Sequence, residues 1–99
     1  MSKYLVLYRS STSARDQVAN ATPEQAQAGM EAWQAWAQRA GSALVDLGAP
    51  LDGDADVTGF SIVQADSRAA IEELLADHPH RHAPDARIDV LEFLPLPGM

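Results

Sequence analysis

The chain contains no cysteine, and this absence removes three classes of chemistry. Disulfide bonds, a thiol nucleophile and a zinc site built from thiolates all require that residue. Basic residues are also scarce, because seven lysines and arginines stand against fourteen acidic residues, for a formal net charge of −7. Such a surface repels phosphate backbones and anionic lipids, so we expect no nucleic-acid partner and no membrane partner.

Long apolar runs are missing as well. A membrane-spanning helix needs about 20 consecutive apolar residues, and no stretch of this sequence approaches that length. The first ten residues, MSKYLVLYRS, lack the long apolar region and the small-residue cleavage site of a signal peptide, so a cytoplasmic location is expected. A chain of 99 residues, 46% of them hydrophobic, predicts a single globular domain covering residues 1–99.

Residue patterns predict four strands and two helices. The strands are expected at residues 3–9, 42–49, 58–65 and 87–94, and the helices at residues 23–40 and 68–78. The first helix has a clear start, since Thr22 and Gln25 form a capping-box pattern around Pro23, and Gly41 is a natural stop. The small, polar residues 10–21 predict a loop.

The predicted order is β-α-β-β-α-β, which indicates an α+β fold of the ferredoxin-like type with a four-stranded antiparallel sheet. Two helices can cover only one face of such a sheet. The first strand is nevertheless apolar on both faces, with Tyr4 and Val6 on one and Leu5 and Leu7 on the other. The uncovered face therefore needs a partner, and a homodimer with two sheets packed face to face, a dimeric α+β barrel, is the simplest solution.

The segments KYLVLYR, EAWQAW, LVDLGAPL, GFSIVQADS and IDVLEFLPL resemble, in this order, the YCII-related domain family over nearly the whole chain. The resemblance implies a dimeric α+β barrel. In founding members of that family a His–Asp pair has been proposed as catalytic, with its histidine on the first helix. This chain carries Trp33 and Trp36 on that helix, so the pair does not transfer. The positions that match the family pattern are His78, which precedes a proline, and Asp46, which precedes a glycine by two residues.

Three histidines alternate in the segment DHPHRHAPD, namely His78, His80 and His82. Alternate residues of an extended segment share one side, which is one requirement for ligands of a common metal ion. The second helix is predicted to end at His78, so His78 does not share the extended backbone that would align it with His80 and His82. No pair of histidines with i, i+4 spacing lies within a predicted helix, where that spacing would place two ligands on one side. We therefore predict no metal site. No cofactor motif occurs either, so no cofactor is expected.

His78 and Asp46 are the candidate catalytic residues. His78 continues the apolar stripe of the second helix, which predicts that it lies on the helix-covered face of the sheet. It is either a general acid or base facing a pocket, or a helix-terminal cap packed against the sheet. Asp46 interrupts an apolar strand and is either a proton-transferring carboxylate or a backbone cap. Strand parity groups Asp46 with Leu44 and Gly48 and predicts the helix side, next to His78.

Three further residues are candidates for ligand binding. Trp36, at the margin of the first helix's apolar stripe, is predicted to line a cleft, while Trp33 is predicted to be core. Arg9 and His80 are placed around the same site. Together these residues predict binding of a small organic molecule in a cleft between sheet and helices, with cofactor-free proton transfer as the chemistry if the protein is an enzyme. The alternative is a non-catalytic dimeric interaction or structural module.

Overall fold

The computed structural model describes residues 1–53 and 56–97, which contain four strands and three α-helices. The strands are β1 (Ser2–Arg9), β2 (Leu44–Asp46), β3 (Val57–Ala65) and β4 (Arg87–Glu92). The helices are α1 (Ala14–Asn20), α2 (Pro23–Ala40) and α3 (Arg68–Leu75), with short 3₁₀ helices at Gly41–Ala43 and Pro79–His82.

The sheet has the strand order β2-β3-β1-β4, so β1 and β3 are central. Each neighbouring pair runs antiparallel. This order is compatible with a ferredoxin-like fold, and the predicted α+β class with a four-stranded antiparallel sheet is confirmed. Within residues 1–53 and 56–97, no helix is both long enough and apolar enough to cross a membrane.

The two faces of the sheet differ in what covers them. The helix-covered face carries the buried side chains Tyr4, Val6, Tyr8, Ser61 and Val63. Most of these pack with Trp36 of α2 and with Ile71 and Leu75 of α3 to form the hydrophobic core. The open face carries Leu5, Leu7, Ile62 and Leu91, which share register positions across β3, β1 and β4 and stay partly or largely exposed.

Helix α2 begins and ends where the sequence predicts. The Thr22 hydroxyl accepts a hydrogen bond from the Gln25 backbone N–H at 3.1 Å, and the Gln25 side chain accepts one from the Thr22 N–H at 2.9 Å. This reciprocal cap satisfies two N–H groups that a helix start leaves unpaired. Gly41 ends the helix with φ of 54°, a backbone conformation that favours glycine.

Helix α1 is the main departure from the sequence prediction, which placed a loop at residues 10–21. Its cap is Ser13, whose hydroxyl accepts a hydrogen bond from the Asp16 N–H at 3.1 Å. The pair follows the Ser-x-x-Asp pattern of a helix start, so the signal was present. The helix is short and none of its residues is buried, so no apolar stripe of helical period announced it.

Strand β2 is shorter than predicted and contains an irregularity. Leu44 lies opposite Val63, but Asp46 lies opposite Ile62 instead of Ser61. One extra residue between them shifts the register, as in a β-bulge, and this reverses the parity of the strand. Asp46 therefore shares the open face of the sheet with Ile62.

Candidate ligand cleft

His78 lies at the centre of a buried aromatic cluster, with 0% of its surface exposed. Its ring stacks on that of Tyr8, with centroids 4.7 Å apart, and meets the edges of Trp33 at 4.5 Å and Trp36 at 4.4 Å. Helix α3 has already ended at Leu75, so His78 belongs to the turn that opens the next 3₁₀ helix. The prediction that it lies on the helix-covered face is confirmed, while the predicted helix extended three residues too far.

A chain of hydrogen bonds leads from His78 across the sheet. His78 Nδ1 accepts from the His80 backbone N–H at 2.9 Å, so the neutral ring carries its proton on Nε2. Nε2 lies 3.1 Å from the Tyr8 hydroxyl, to which it donates. The Tyr8 hydroxyl donates to Ser61 Oγ at 2.8 Å, and Ser61 Oγ donates to the Leu47 carbonyl at 2.6 Å. We call these groups the His78–Leu47 chain.

Burial keeps the ionisable members of this chain neutral. It lowers the pKa of His78 to about 3, and the charge of His80 when that ring is protonated, together with the charges of Arg81 and Arg39, acts in the same direction. Burial also raises the pKa of Tyr8 to about 12, against a smaller opposing effect of its hydrogen bond to Ser61. Both groups are therefore neutral near neutral pH, and the hydrogen bond between them fixes the relative position of the two rings.

The Leu47 carbonyl at the end of the His78–Leu47 chain belongs to residues 47–50, which form one wall of a cleft. Gly48 in this wall has φ of 84°, and a Cβ on it would lie 1.7 Å from the Phe60 carbonyl oxygen. Only glycine fits this approach to β3. The wall is further held by the Phe60 N–H, which donates to the Ala49 carbonyl at 3.3 Å, and by the Leu51 N–H, which donates to the Thr58 carbonyl at 2.9 Å.

The cleft lies between α1, α2 and the 47–50 wall and has a volume of about 650 Å³. Its apolar lining comes from Ala14, Val18, Ala21, Ala26, Gly29, Met30, Trp33, Leu47, Gly48, Ala49, Pro50, Gly59 and Phe60. Its polar lining comes from Tyr8, Gln17, Gln25, Thr58 and His80. Such a space, mostly apolar with a few polar groups, has the size and character of a small-molecule site.

The prediction for Trp36 is wrong, and the one for Trp33 is confirmed only in part. Trp36, predicted to line a cleft, is fully buried, and its Nε1–H donates to the Leu74 carbonyl at 3.0 Å. Trp33, predicted to be core, packs half-buried against the core and also lines the cleft, with its ring edge-on to Tyr8 at 5.1 Å. The reason is that Trp33 lies where the core meets the cleft: Trp36 and Ala40, further along α2, are buried in the core, while the residues before Trp33 form the cleft wall.

Asp46 and Arg9 lie away from this site. The predicted placement of Asp46 next to His78 is wrong, because the bulge in β2 turns it to the open face, where Oδ1 accepts from the Gly48 N–H at 2.8 Å. Arg9 pairs with Asp89 on that face at 2.5 Å and does not line the cleft. Only the backbone of Arg9 contacts a residue of the cleft, because its carbonyl accepts a hydrogen bond from His80 Nε2 at 2.8 Å.

The three alternating histidines do not converge. His78 and His80 are buried, whereas the side chain of His82 is exposed. Among residues 1–53 and 56–97, no three His, Cys, Asp or Glu side chains are grouped so as to hold a metal ion. His80 is the one of the three that lines the cleft, and its ring approaches Tyr8 with centroids 5.1 Å apart. Burial lowers its pKa, and the carbonyls of Arg9 and Arg87 partly oppose that change.

Sequence reasoning missed the roles of Tyr8 and Ser61, which join the buried histidine to the cleft wall. Alternation in β1 and β3 could place both on the helix-covered face, but nothing local indicates that their hydroxyls meet. Compared with protein-family models and with curated proteins, the chain shows no match. The assignment of a function therefore depends on the geometry of the cleft.

Proposed function

We propose that this protein binds a small, largely apolar organic molecule in the cleft. The observation that carries the proposal is a space of about 650 Å³ with a mostly apolar wall. Two bulky apolar side chains of this wall are largely exposed to solvent, Val18 at 73% and Met30 at 65%. They belong to different helices that line the cleft, and a ligand between them would remove both from water.

A glycine inside helix α2 supports the same proposal. Glycine in a helix interior costs about 1 kcal/mol relative to alanine. No other atom would lie within 4 Å of a Cβ on Gly29, so no close packing requires the missing side chain. Gly29 lines the cleft, and its lack of a side chain widens the available space.

Filling that space provides the test. We expect Gly29→Leu to weaken binding of the neutral fluorescent probe N-phenyl-1-naphthylamine at least about tenfold, because the new side chain occupies the cleft. The helix should remain intact, since leucine is a better helix former than glycine. Titration of the probe by fluorescence measures the affinity, and thermal unfolding checks the fold.

The control is Ala28→Leu, which adds a similar side chain at the preceding, exposed position outside the cleft. It should bind the probe like the wild type. A probe that does not bind the wild type, or that binds Gly29→Leu and Ala28→Leu equally well, would contradict the proposal.

Catalysis by proton transfer has less support than binding. Of the five site residues predicted from the sequence, only His80 lines the cleft. Asp46 is exposed on the other face of the sheet, and His78 is enclosed by aromatic rings. Binding requires neither of them in contact with the ligand, and this is why we propose a binding function for a chain that resembles the YCII-related family.

We further propose that a second copy of the chain covers the open face of the sheet, giving the dimeric α+β barrel expected from the sequence. Leu5, Leu7 and Ile62 form an apolar patch on the two central strands of that face. The helices lie on the opposite face, so none of the helices in residues 1–53 and 56–97 covers the patch. Two such patches related by a two-fold axis would bury each other.

A charge at the centre of that patch is expected to prevent dimerisation. Leu5→Lys should reduce the mass in solution from twice the 10.6 kDa of the chain to that of a monomer, because an unpaired ammonium would be buried in the interface. Light scattering coupled to size exclusion measures the mass. Gln34→Lys, on the exposed surface of α2, is the control and should stay dimeric. A wild-type chain that is monomeric would rule out the barrel.

A further inference from the structure

We infer that the cleft selects uncharged ligands, and that an alcohol, amide or carbonyl compound is favoured over a carboxylate or an ammonium compound of the same shape. This inference rests on the proposed binding function. It adds the chemical class of the ligand, which the volume of the cleft and the apolar character of its wall do not specify.

Among the residues that the structure describes, no lysine or arginine side chain lines the cleft to hold an anion. The arginines are engaged elsewhere: Arg9 with Asp89, Arg15 with Asp52, Arg39 with Asp77, Arg68 with Glu72, Arg87 with Asp56, and Arg81 with the Leu75 carbonyl. Arg15 and Asp52 line a smaller pocket that adjoins the cleft at Ala14, Val18 and Pro50, where their opposite charges pair with each other at 2.9 Å. The net charge of −7 further disfavours an anion.

A cation is not favoured either, because no carboxylate of the described residues lines the cleft. The ionisable lining groups are Tyr8 and His80. Burial raises the pKa of the first and lowers that of the second, so both are neutral near neutral pH. A charged ligand would lose hydration on entry without gaining an opposite charge, which is costly in a mostly apolar space.

Two neutral amides provide the polar contacts that remain. The Gln17 side-chain NH₂ donates to the Thr12 carbonyl at 2.7 Å, which leaves its own carbonyl as an acceptor. The Gln25 side-chain carbonyl accepts from the Thr22 N–H at 2.9 Å, which leaves its NH₂ as a donor. Both glutamines line the cleft. One acceptor and one donor, both uncharged, match a hydroxyl, amide or carbonyl group on a ligand.

Three naphthalene compounds with the same ring and different charge test the inference: 2-naphthalenemethanol, 2-naphthoate and 2-naphthylmethylammonium. Titration calorimetry with the full chain at neutral pH measures each affinity. We expect the alcohol to bind about tenfold more tightly than either ion, because only the ions lose the hydration of a charge.

The variant Gln25→Glu sharpens the test. Glutamate preserves the capping box of α2, so the fold is retained, and it places a carboxylate in the cleft wall. The variant should bind 2-naphthylmethylammonium more tightly than the wild type does, and 2-naphthoate more weakly. Glu24→Gln, which changes an exposed charge one residue away and outside the cleft, should not alter the order of the three affinities.

The outcomes separate the two claims. If the wild type binds none of the three compounds, the proposed binding function and this inference both fail. If 2-naphthoate or the ammonium compound binds as tightly as the alcohol, the cleft is a binding site but its selection for uncharged ligands is disproved. If the alcohol binds most tightly and Gln25→Glu shifts the preference toward the ammonium compound, the inference stands.

Discussion

Acidification from about pH 6 to about pH 4 is expected to lower the free energy of unfolding by about 2.5 kcal/mol through His78 alone. The folded pKa is about 3, whereas an unfolded histidine has a pKa of about 6.5. Between these values the unfolded chain binds a proton that the folded chain does not. Stability is therefore fully present above about pH 6.5 and falls by up to about 1.4 kcal/mol per pH unit below it. Denaturant titrations at several pH values measure this slope.

Two variants identify the responsible histidine. His78→Asn keeps an acceptor for the His80 N–H but cannot titrate, so its slope should be markedly smaller, with a remainder from His80, whose pKa burial also lowers. Its stability at neutral pH should fall, because the contact with Tyr8 is lost. His82→Gln removes an exposed imidazole and should leave the wild-type slope unchanged. Equal slopes in His78→Asn and the wild type would refute the prediction.

Gly48→Ala is expected to destabilise the fold by about 2–4 kcal/mol. A methyl group there would collide with the Phe60 carbonyl, and φ of 84° is unfavourable for alanine. The 47–50 wall must then move away from β3, which also disturbs the hydrogen bond from Ser61 to the Leu47 carbonyl. Urea unfolding measures the loss, and probe titration should show weaker binding to the displaced wall.

The same glycine-to-alanine change at another residue of the cleft should instead increase the free energy of unfolding. Gly29→Ala adds a methyl group in open space inside a helix, so we expect a gain of about 1 kcal/mol. If the free energy of unfolding of Gly48→Ala is instead within about 0.5 kcal/mol of the wild-type value, the close approach between Gly48 and Phe60 is not essential to the fold.

The elements that sequence predicts well are those whose signals are local. Helix α2 follows from Thr22, Pro23 and Gln25 at its start and from Gly41 at its end. Strands β1 and β3 follow from apolar and aromatic residues bounded by polar segments. These signals depend on neighbours within a few positions, so a single sequence is sufficient to read them.

The candidate site is harder to predict because it depends on relations between distant segments. The face of Asp46 is set by one extra residue in β2, which parity counting cannot detect. The roles of Trp33 and Trp36 depend on where α2 crosses the sheet, and both positions lie near the same helical stripe. Helix α1 buries nothing, so only its cap, Ser13, could have indicated it.

The His78–Leu47 chain also constrains how the protein folds. Its bonds join residues 70, 53 and 14 positions apart in sequence. Closing loops of this length costs chain entropy before the contacts compensate for it, so such bonds slow folding compared with helical contacts. Because His78 follows the 47–50 wall, Ser61 and Tyr8 in the sequence, a nascent polypeptide cannot complete these hydrogen bonds until His78 has been synthesised.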